Sequence, residues 1–391
     1  MIPEIRQKFN SEFSEENYYK YIREIWKWTN GNEDFRICET PLFIDRLLTK
    51  KLLEAVESIT TYLQSEKFYT KSRSAVPQDF YVPNEESHPL FLQIDFAITK
   101  NKDDEYEPKL IELQGFPSLY AFQCELDIMN RKYFRIPEGF GSYFNQLDNN
   151  TYIDYFKHAV IKNHNPENVI LLEIEPDKQK TRIDFYITEH LLGIKPVCIT
   201  EVIKKGKKLF YRSESKLIEI DRIYNRVIFD ELIKKKLHFN FDFRNELDIE
   251  WAGHPNWFFK ISKHTLPQIT GSFAPKAFYL DEIDHYPNDL ENYVLKPLYS
   301  FAGSGVIVDL NKEILDHISD RKNYILQEKV EYAPLIKTPD GYSFAEIRMM
   351  LLWIDKPVLV NNLLRTSKGK MMGVDFNKGK TWVGSNIVYH Q

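Results

Sequence analysis

The stretch Tyr293-Val-Leu-Lys-Pro-Leu-Tyr-Ser-Phe-Ala-Gly-Ser-Gly-Val306 decides how the chain is read. A lysine at the end of an apolar strand is a positive charge held at a fixed point. Small residues after it let backbone N–H groups wrap an anion, because glycine tolerates the positive φ that such a nest needs. Lys296 with Ser300, Gly303, Ser304 and Gly305 therefore reads as a phosphate cradle. The spacing is neither the Gly-Lys-Ser/Thr helix opening of a Walker loop nor a GxGxxG dinucleotide turn. A buried strand followed by an ordinary hairpin turn would account for the fragment without chemistry, so the flanking sequence has to decide.

A chain of 391 residues, 43% hydrophobic and 28% charged, is long enough for two or three packed subdomains. A net charge of −5 provides no field for nucleic acid or an anionic membrane. Cys38, Cys124 and Cys198 are too few and too scattered for a disulfide framework or a zinc knuckle. The ten histidines show neither ligand spacing nor a companion nucleophile. The first residues lack an apolar signal core, and no stretch approaches a membrane span. The expectation is a cytoplasmic protein with no nucleic-acid or membrane partner.

Residues 15–28 and 43–63 carry apolar side chains at helical spacing, making 1–89 an N-terminal helical segment. Residues 90–98 and 108–114 alternate as strands across the charged turn 100–107, a hairpin within 90–150. Strand 168–174, helix 181–192 and strand 196–202, followed by a hairpin near 204–211 and a strand at 218–226, predict a small Rossmann-like α/β unit over 151–250. Helix, strand and loop alternate again over 251–391, without internal repeat.

Three oxygen-bearing side chains gather on the early hairpin. Glu112 and Gln114 are two apart, hence on one face of their strand, and Asp95 can lie beside them on the partner strand. Such a set suits Mg²⁺, which takes one or two carboxylates plus phosphate oxygens. A solvated strand face is the plain alternative, but the break Gly115-Phe-Pro117 directly after the acids fits the edge of a site better.

An acid on one strand and Glu-x-Asn with a small/Pro turn on the next resembles the metal-binding signature of the ATP-grasp superfamily. Here the signature precedes the other pieces, the circularly permuted order of eukaryotic-type glutathione synthetases. Ile223-Tyr-Asn-Arg226 is similar to that family's Tyr-Phe-Arg strand, and 293–306 to its lysine strand and glycine loop. Tyr324-Ile-Leu-Gln-Glu-Lys-Val-Glu331 resembles its adenine hinge, and Leu363-Leu-Arg-Thr-Ser-Lys368, with Gly373 beyond, its Leu-Leu-Arg-Thr-Lys segment. Three positions depart. Gln114 stands for Asn, Ser300 for a loop glutamate, and Lys370-Met-Met-Gly373 for a glycine triplet. These put glutathione itself outside the expectation.

The resemblance implies an α+β ATP-grasp fold with an inserted Rossmann-like substrate domain, the nucleotide-binding lobes lying in 251–391. It implies a nucleotide, ATP, with its phosphates on Lys263, Lys296 and the loop. Lys263 follows Ser262, a good N-cap, and Lys260 is its rival. Gln327, Glu328 and Lys329 would face adenine and Glu331 the ribose. Mg²⁺ would be held by Asp95, Glu112 and Gln114, a substrate carboxylate by Arg226, and an anionic intermediate by Arg348 and Arg365. Arg348 lies on a buried-looking strand and needs an anion, either Glu346 or a phosphate. Asp375 and Asn377 fall in a lid or product-side loop, outside the ligand set. The activity implied is an ATP-dependent carboxylate–amine ligation through an acyl phosphate, with small-molecule carboxylate and amine substrates and a homodimeric enzyme. A kinase acting on a non-carboxylate acceptor and a degenerate ATP-binding scaffold are the alternatives.

Overall fold

The computed structural model describes residues 2–299, 305–369, 372 and 374–391. Its central feature is a six-stranded antiparallel sheet. The strands run Gly384–Asn386, Pro357–Ser367, Gly341–Trp353, Phe91–Lys100, Tyr106–Gln114, with Ile336–Thr338 also paired to Gly341–Trp353. The predicted hairpin is thus present, and the long C-terminal hairpin extends it by pairing Arg348 with Asp95 and Met350 with Gln93.

Side-chain alternation gives this sheet two covered faces. Leu92, Ile94 and Phe96, with Ile347, Met349 and Leu351, meet Leu48, Leu52 and Ile59 of the helix Arg46–Leu63. Each such side chain, removed from water, contributes roughly 1.5–3 kcal/mol before entropy is subtracted. That helix starts where Asp45 accepts a hydrogen bond from the Leu48 N–H at 2.9 Å, a cap that satisfies one otherwise unpaired donor. On the opposite face Phe91, Met350, Leu352 and Leu363 pack with Tyr120 and Phe122 of the helix Tyr120–Tyr133. Gln93, Asp95, Glu346, Arg348 and Arg365 share that second face by the same alternation.

A second sheet is wholly parallel and runs Glu250–Ala252, Arg222–Asn225, Val169–Glu173, Lys195–Cys198. The helix Arg182–Leu192 crosses between two of its strands and stops at Gly193, whose φ of 71° suits a residue without Cβ. One expectation needs correction here. The predicted strand 218–226 is two strands. Lys216–Ile220 belongs to a separate antiparallel sheet with Ile203–Lys205 and Lys208–Ser213, and Arg222–Asn225 joins the parallel sheet. The fourth parallel strand, Glu250–Ala252, was not expected.

A third sheet, Ala277–Tyr279, Tyr324–Glu328, Tyr293–Pro297, is antiparallel and carries Lys296 opposite Ile325. The N-terminal helices do not stand apart. Tyr21 and Trp26 are buried in the same core as Tyr120 and Tyr389, and Leu42–Phe43 pairs with Val388–Tyr389 near the C-terminus. Among the described residues no helix is long and apolar enough to cross a membrane.

A candidate anion and nucleotide site

The hairpin ends where its two strands exchange Asp95 for Glu112 and Gln93 for Gln114 as cross-strand partners, with a bulge after Asp95. Beyond it Gly115 lies against the short helix Trp257–Lys260. A Cβ there would fall 2.5 Å from the Trp257 carbonyl oxygen and 3.0 Å from Ile261 Cβ, so only glycine fits without a shift. The Gly115 N–H donates to the Ile261 carbonyl at 2.9 Å. This contact delivers the next helical turn, Lys263–Gln268, to the hairpin. Ser262 caps that turn by accepting from the His264 N–H at 3.2 Å.

Lys263 Nζ then lies 2.7 Å from Glu112 Oε1. Burial pushes the Glu112 carboxyl up, but Lys263, followed by Lys296 and Arg365, outweighs burial and holds it at about 2. Gln114 donates to Glu112 Oε2 at 3.3 Å and leaves its own Oε1 buried without a partner. Lys296 Nζ donates to the Ile111 carbonyl at 3.2 Å. Burial lowers its pKa to about 8 although Glu112 supports the charge. Lys260, the rival cation, pairs with Glu85 instead.

Arg348 and Arg365 converge from neighbouring strands. Arg348 grips Asp95 with both arms, Nε to Oδ1 at 2.6 Å and Nη2 to Oδ2 at 2.8 Å, and donates Nη1 to Gln93 Oε1 at 3.0 Å. Arg365 Nη2 donates to Asp95 Oδ2 at 2.5 Å and also to Glu346 Oε1, and its Nε has no partner. Tyr332 donates to Glu346 Oε2 at 2.9 Å. Burial raises the Glu346 carboxyl against the pull of Arg365, with Asp95 adding to the rise. Burial opposes the charge on Arg365, but Glu346, Asp95 and Glu112 raise its pKa further.

Two expectations are corrected by this geometry. Asp95, expected as a third metal ligand, is 1% exposed and gives both oxygens to arginines. The anion facing Arg348 is Asp95 rather than Glu346 or a phosphate. Among the described residues no three His, Cys, Asp or Glu side chains converge to hold a metal. What remains for a hard cation is the unpartnered Gln114 Oε1 and the ionised Glu112, which a cation would have to share with Lys263 and the Gln114 amide. Glu112 and Gln114 Oε1 fit Mg²⁺ when phosphate oxygens complete its shell.

The cradle and hinge are placed in part. The chain returns beside the lysine strand, Leu295 and Ile307 exchanging two 3.0 Å hydrogen bonds. Gly305 has φ of 75°; Ser300, Gly303 and Ser304 lie outside the described residues, as does Gly373. In the hinge, Gln327 is buried with Oε1 unpartnered, and Glu331 is exposed. The expectation that Glu328 and Lys329 face adenine is corrected for their N–H groups. Glu328 N–H donates to the Lys276 carbonyl at 2.8 Å and Lys329 N–H to that of Asn292 at 2.7 Å, because the residues leading into the two flanking strands claim both. Asn377 accepts from Ser367 Oγ and the Lys368 N–H, both at 3.0 Å, which ties down its own loop.

Arg226 leaves the end of Arg222–Asn225 and is 4% exposed, with Nε and Nη1 unpartnered and its head 4.9 Å from the Phe116 ring centre. Sequence reading missed its company. Glu173, ending the neighbouring parallel strand, is raised to about 8 by burial despite Arg226, and Asp184 is raised by burial with Arg226 again opposing. An acid closing the strand Val169–Glu173, whose other four residues are all apolar, was the available signal. Tyr332 was missed as well, and its position outside any strand offered none.

The cavity framed by Glu112, Gln114, Phe116, Lys263, Leu298 and Tyr299 holds about 20 Å³, room for about one water molecule. Lys263, in its wall, is paired with Glu112. A polyphosphate entering there would have to take Lys263 over from the carboxylate.

No family model matches the chain, and no curated protein does. Among solved structures it is similar to a glutathione synthetase-like effector from Globodera pallida, in apo form. The TM-score is 0.60 at 12% identity, over 100% of this chain and 98% of the other. The fold is accordingly glutathione synthetase-like.

Proposed function

We propose that the chain is an ATP-grasp ligase of permuted order, joining a small carboxylic acid to an amine with ATP and Mg²⁺ through an acyl phosphate. The observation that carries this reading is the ion pair of Lys263 with the ionised Glu112, with Lys296 and Arg365 close enough to act on the same carboxylate. With Arg348 the cluster holds four cations against the three acids Glu112, Asp95 and Glu346, an excess of one positive charge. That excess is suited to an anion carrying several charges. The full-length likeness to a glutathione synthetase-like protein supports the fold that the reaction needs, and fold alone does not name the chemistry.

In this reading Lys263 and Lys296 take the phosphates, with the loop after Lys296 laid over them, and Gln327 and Glu331 lie toward the base and ribose. Mg²⁺ on Glu112 and Gln114 would neutralise charge on phosphate oxygens. Arg226 orients the substrate carboxylate from the parallel sheet, directly after the strand that ends at Asn225 and beside the one that ends at Glu173. The carboxylate takes the terminal phosphoryl group, and the amine then displaces phosphate. Arg365, aimed by Asp95 and Glu346, offers its unpartnered Nε to the oxyanion that forms. Arg348 is locked onto Asp95 and holds that acid in place. The substrates are small molecules, and neither nucleic acid nor membrane has a part.

A second reading has its own support. The effector likeness, the engaged hinge donors and the internally paired Asp95 favour a protein that binds a nucleotide without ligating anything. Labelling separates the two. A ligase transfers one ¹⁸O from the carboxylate substrate to inorganic phosphate, and a binding protein releases no labelled phosphate.

A further inference from the structure

A cavity of about 480 Å³ opens between the 3₁₀ turn Gln78–Phe80, the helix Phe229–Lys235 and the loop that follows that helix. Lys236, at φ of 48°, ends the helix and turns the chain so that Phe239, Phe241 and Phe243 fold back. Their rings form one wall with Phe229. Phe243 lies 5.2 Å from Phe229, and Phe239 and Phe241 lie 6.0 Å and 5.1 Å from Phe243. Phe80 closes it at 5.5 Å from Phe229. The short Trp257–Lys260 helix divides this cavity from the Glu112 site. Phe258 lines the Glu112 cavity, and Phe259 stacks behind Phe80 and Phe229.

The volume falls in the range of small-molecule sites. Five phenylalanine rings line it, and the π-face of such a ring attracts a cation and repels an anion. The rim adds to this. Arg244 is clamped on both oxygens of Asp242 at 2.7–3.0 Å, and the exposed Asp79 leaves a surplus negative charge beside them. An anionic ligand would have to pull Arg244 off Asp242. A cation with an apolar body meets rings and carboxylate without breaking any contact.

We propose that this cavity binds a small organic cation, an aryl- or alkylammonium, at a place separate from the nucleotide site. Calorimetry on the full chain tests it with three probes of nearly one shape, 2-phenylethylammonium, 2-phenylethanol and phenylacetate. The cation binds about tenfold tighter than the alcohol, and the acid binds weakest. Phe239→Leu, at a half-buried position, weakens the cation at least about fivefold and the alcohol little. Asp79→Asn, at an exposed position, narrows the preference for the cation. ATP leaves all three affinities unchanged. The proposal is overturned if no probe binds, if alcohol or acid equals the cation, if both variants bind as wild type, or if ATP competes. Unchanged thermal midpoints of the two variants confirm that they remain folded.

Discussion

Replacing Asp95 by asparagine keeps its shape and removes its charge, and so separates an anchor for arginines from a ligand for metal. The wild-type carboxylate accepts three charge-assisted hydrogen bonds, at 2.6, 2.8 and 2.5 Å, at a place 1% exposed. In Asp95→Asn, Arg365 keeps Glu346, and Arg348 keeps the neutral contact to Gln93. Breaking a buried pair from one side costs about 3–5 kcal/mol, because the partner's charge stays behind. The asparagine oxygen still accepts one bond, which puts the expected loss near the lower end, about 3 kcal/mol. Urea unfolding without nucleotide or metal reads this as a lower midpoint at unchanged slope. The double variant Asp95→Asn/Arg348→Met removes the stranded charge, so it loses less than the sum of the single changes. A loss under about 1 kcal/mol in Asp95→Asn, together with weaker Mg²⁺-dependent nucleotide binding, would refute the anchor and restore the metal ligand.

Three further outcomes follow from the same geometry. Glu173 has its folded pKa raised to about 8 by burial, so the native state holds a proton that the unfolded chain releases near 4.5. Stability therefore falls as pH rises from about 4.5 to about 8. Glu173→Gln flattens that fall and is more stable at pH 8 by on the order of 4 kcal/mol, read from thermal unfolding at several pH values. Identical profiles for both proteins would exclude a protonated Glu173. Lys296, lowered to about 8 by burial, is charged below that pH, so nucleotide affinity weakens as pH passes above it. Lys296→Met loses at least about tenfold in ATP affinity and shows no such alkaline limb in titration calorimetry. Gly115→Ala drives a Cβ to 2.5 Å from the Trp257 carbonyl. It costs about 1–3 kcal/mol and shifts the Lys263 turn, so denaturant midpoint and ATP affinity fall together.

The hairpin was legible because alternating apolar residues need only one neighbouring strand to show their period, and its observed ends lie within a few residues of the expected ones. The split at Asp221 was legible only in part. Ile218 and Ile220 alternate with polar residues, but Asp221 and Arg222 are both polar and the apolar position slips to Ile223, a phase break that the single-strand reading passed over. The chain changes sheets because Asp221 N–H donates to Asn168 O and its carbonyl accepts from Glu250 N–H, both at 2.8 Å. Those partners lie tens of residues away, so the phase break marks the place of the split but not the sheets it leads to. The role of Asp95 hid for the same reason. Periodicity gave its face, but the arginine that claims it is 253 residues along the chain. The hinge strand was readable from Ile325 and Gln327, yet the claims of Lys276 and Asn292 on its N–H groups depend on which strands flank it.

The measurement that bears most directly on the proposed ligase is ADP formation from ATP and Mg²⁺ with pooled amino acids, dipeptides and polyamines, in wild type and Glu112→Gln. The account predicts turnover that needs both a carboxylate and an amine, yields an amide with phosphate, and disappears in Glu112→Gln. Tight ATP binding without turnover across the pool, or a stable phosphorylated product formed without amine, would contradict it.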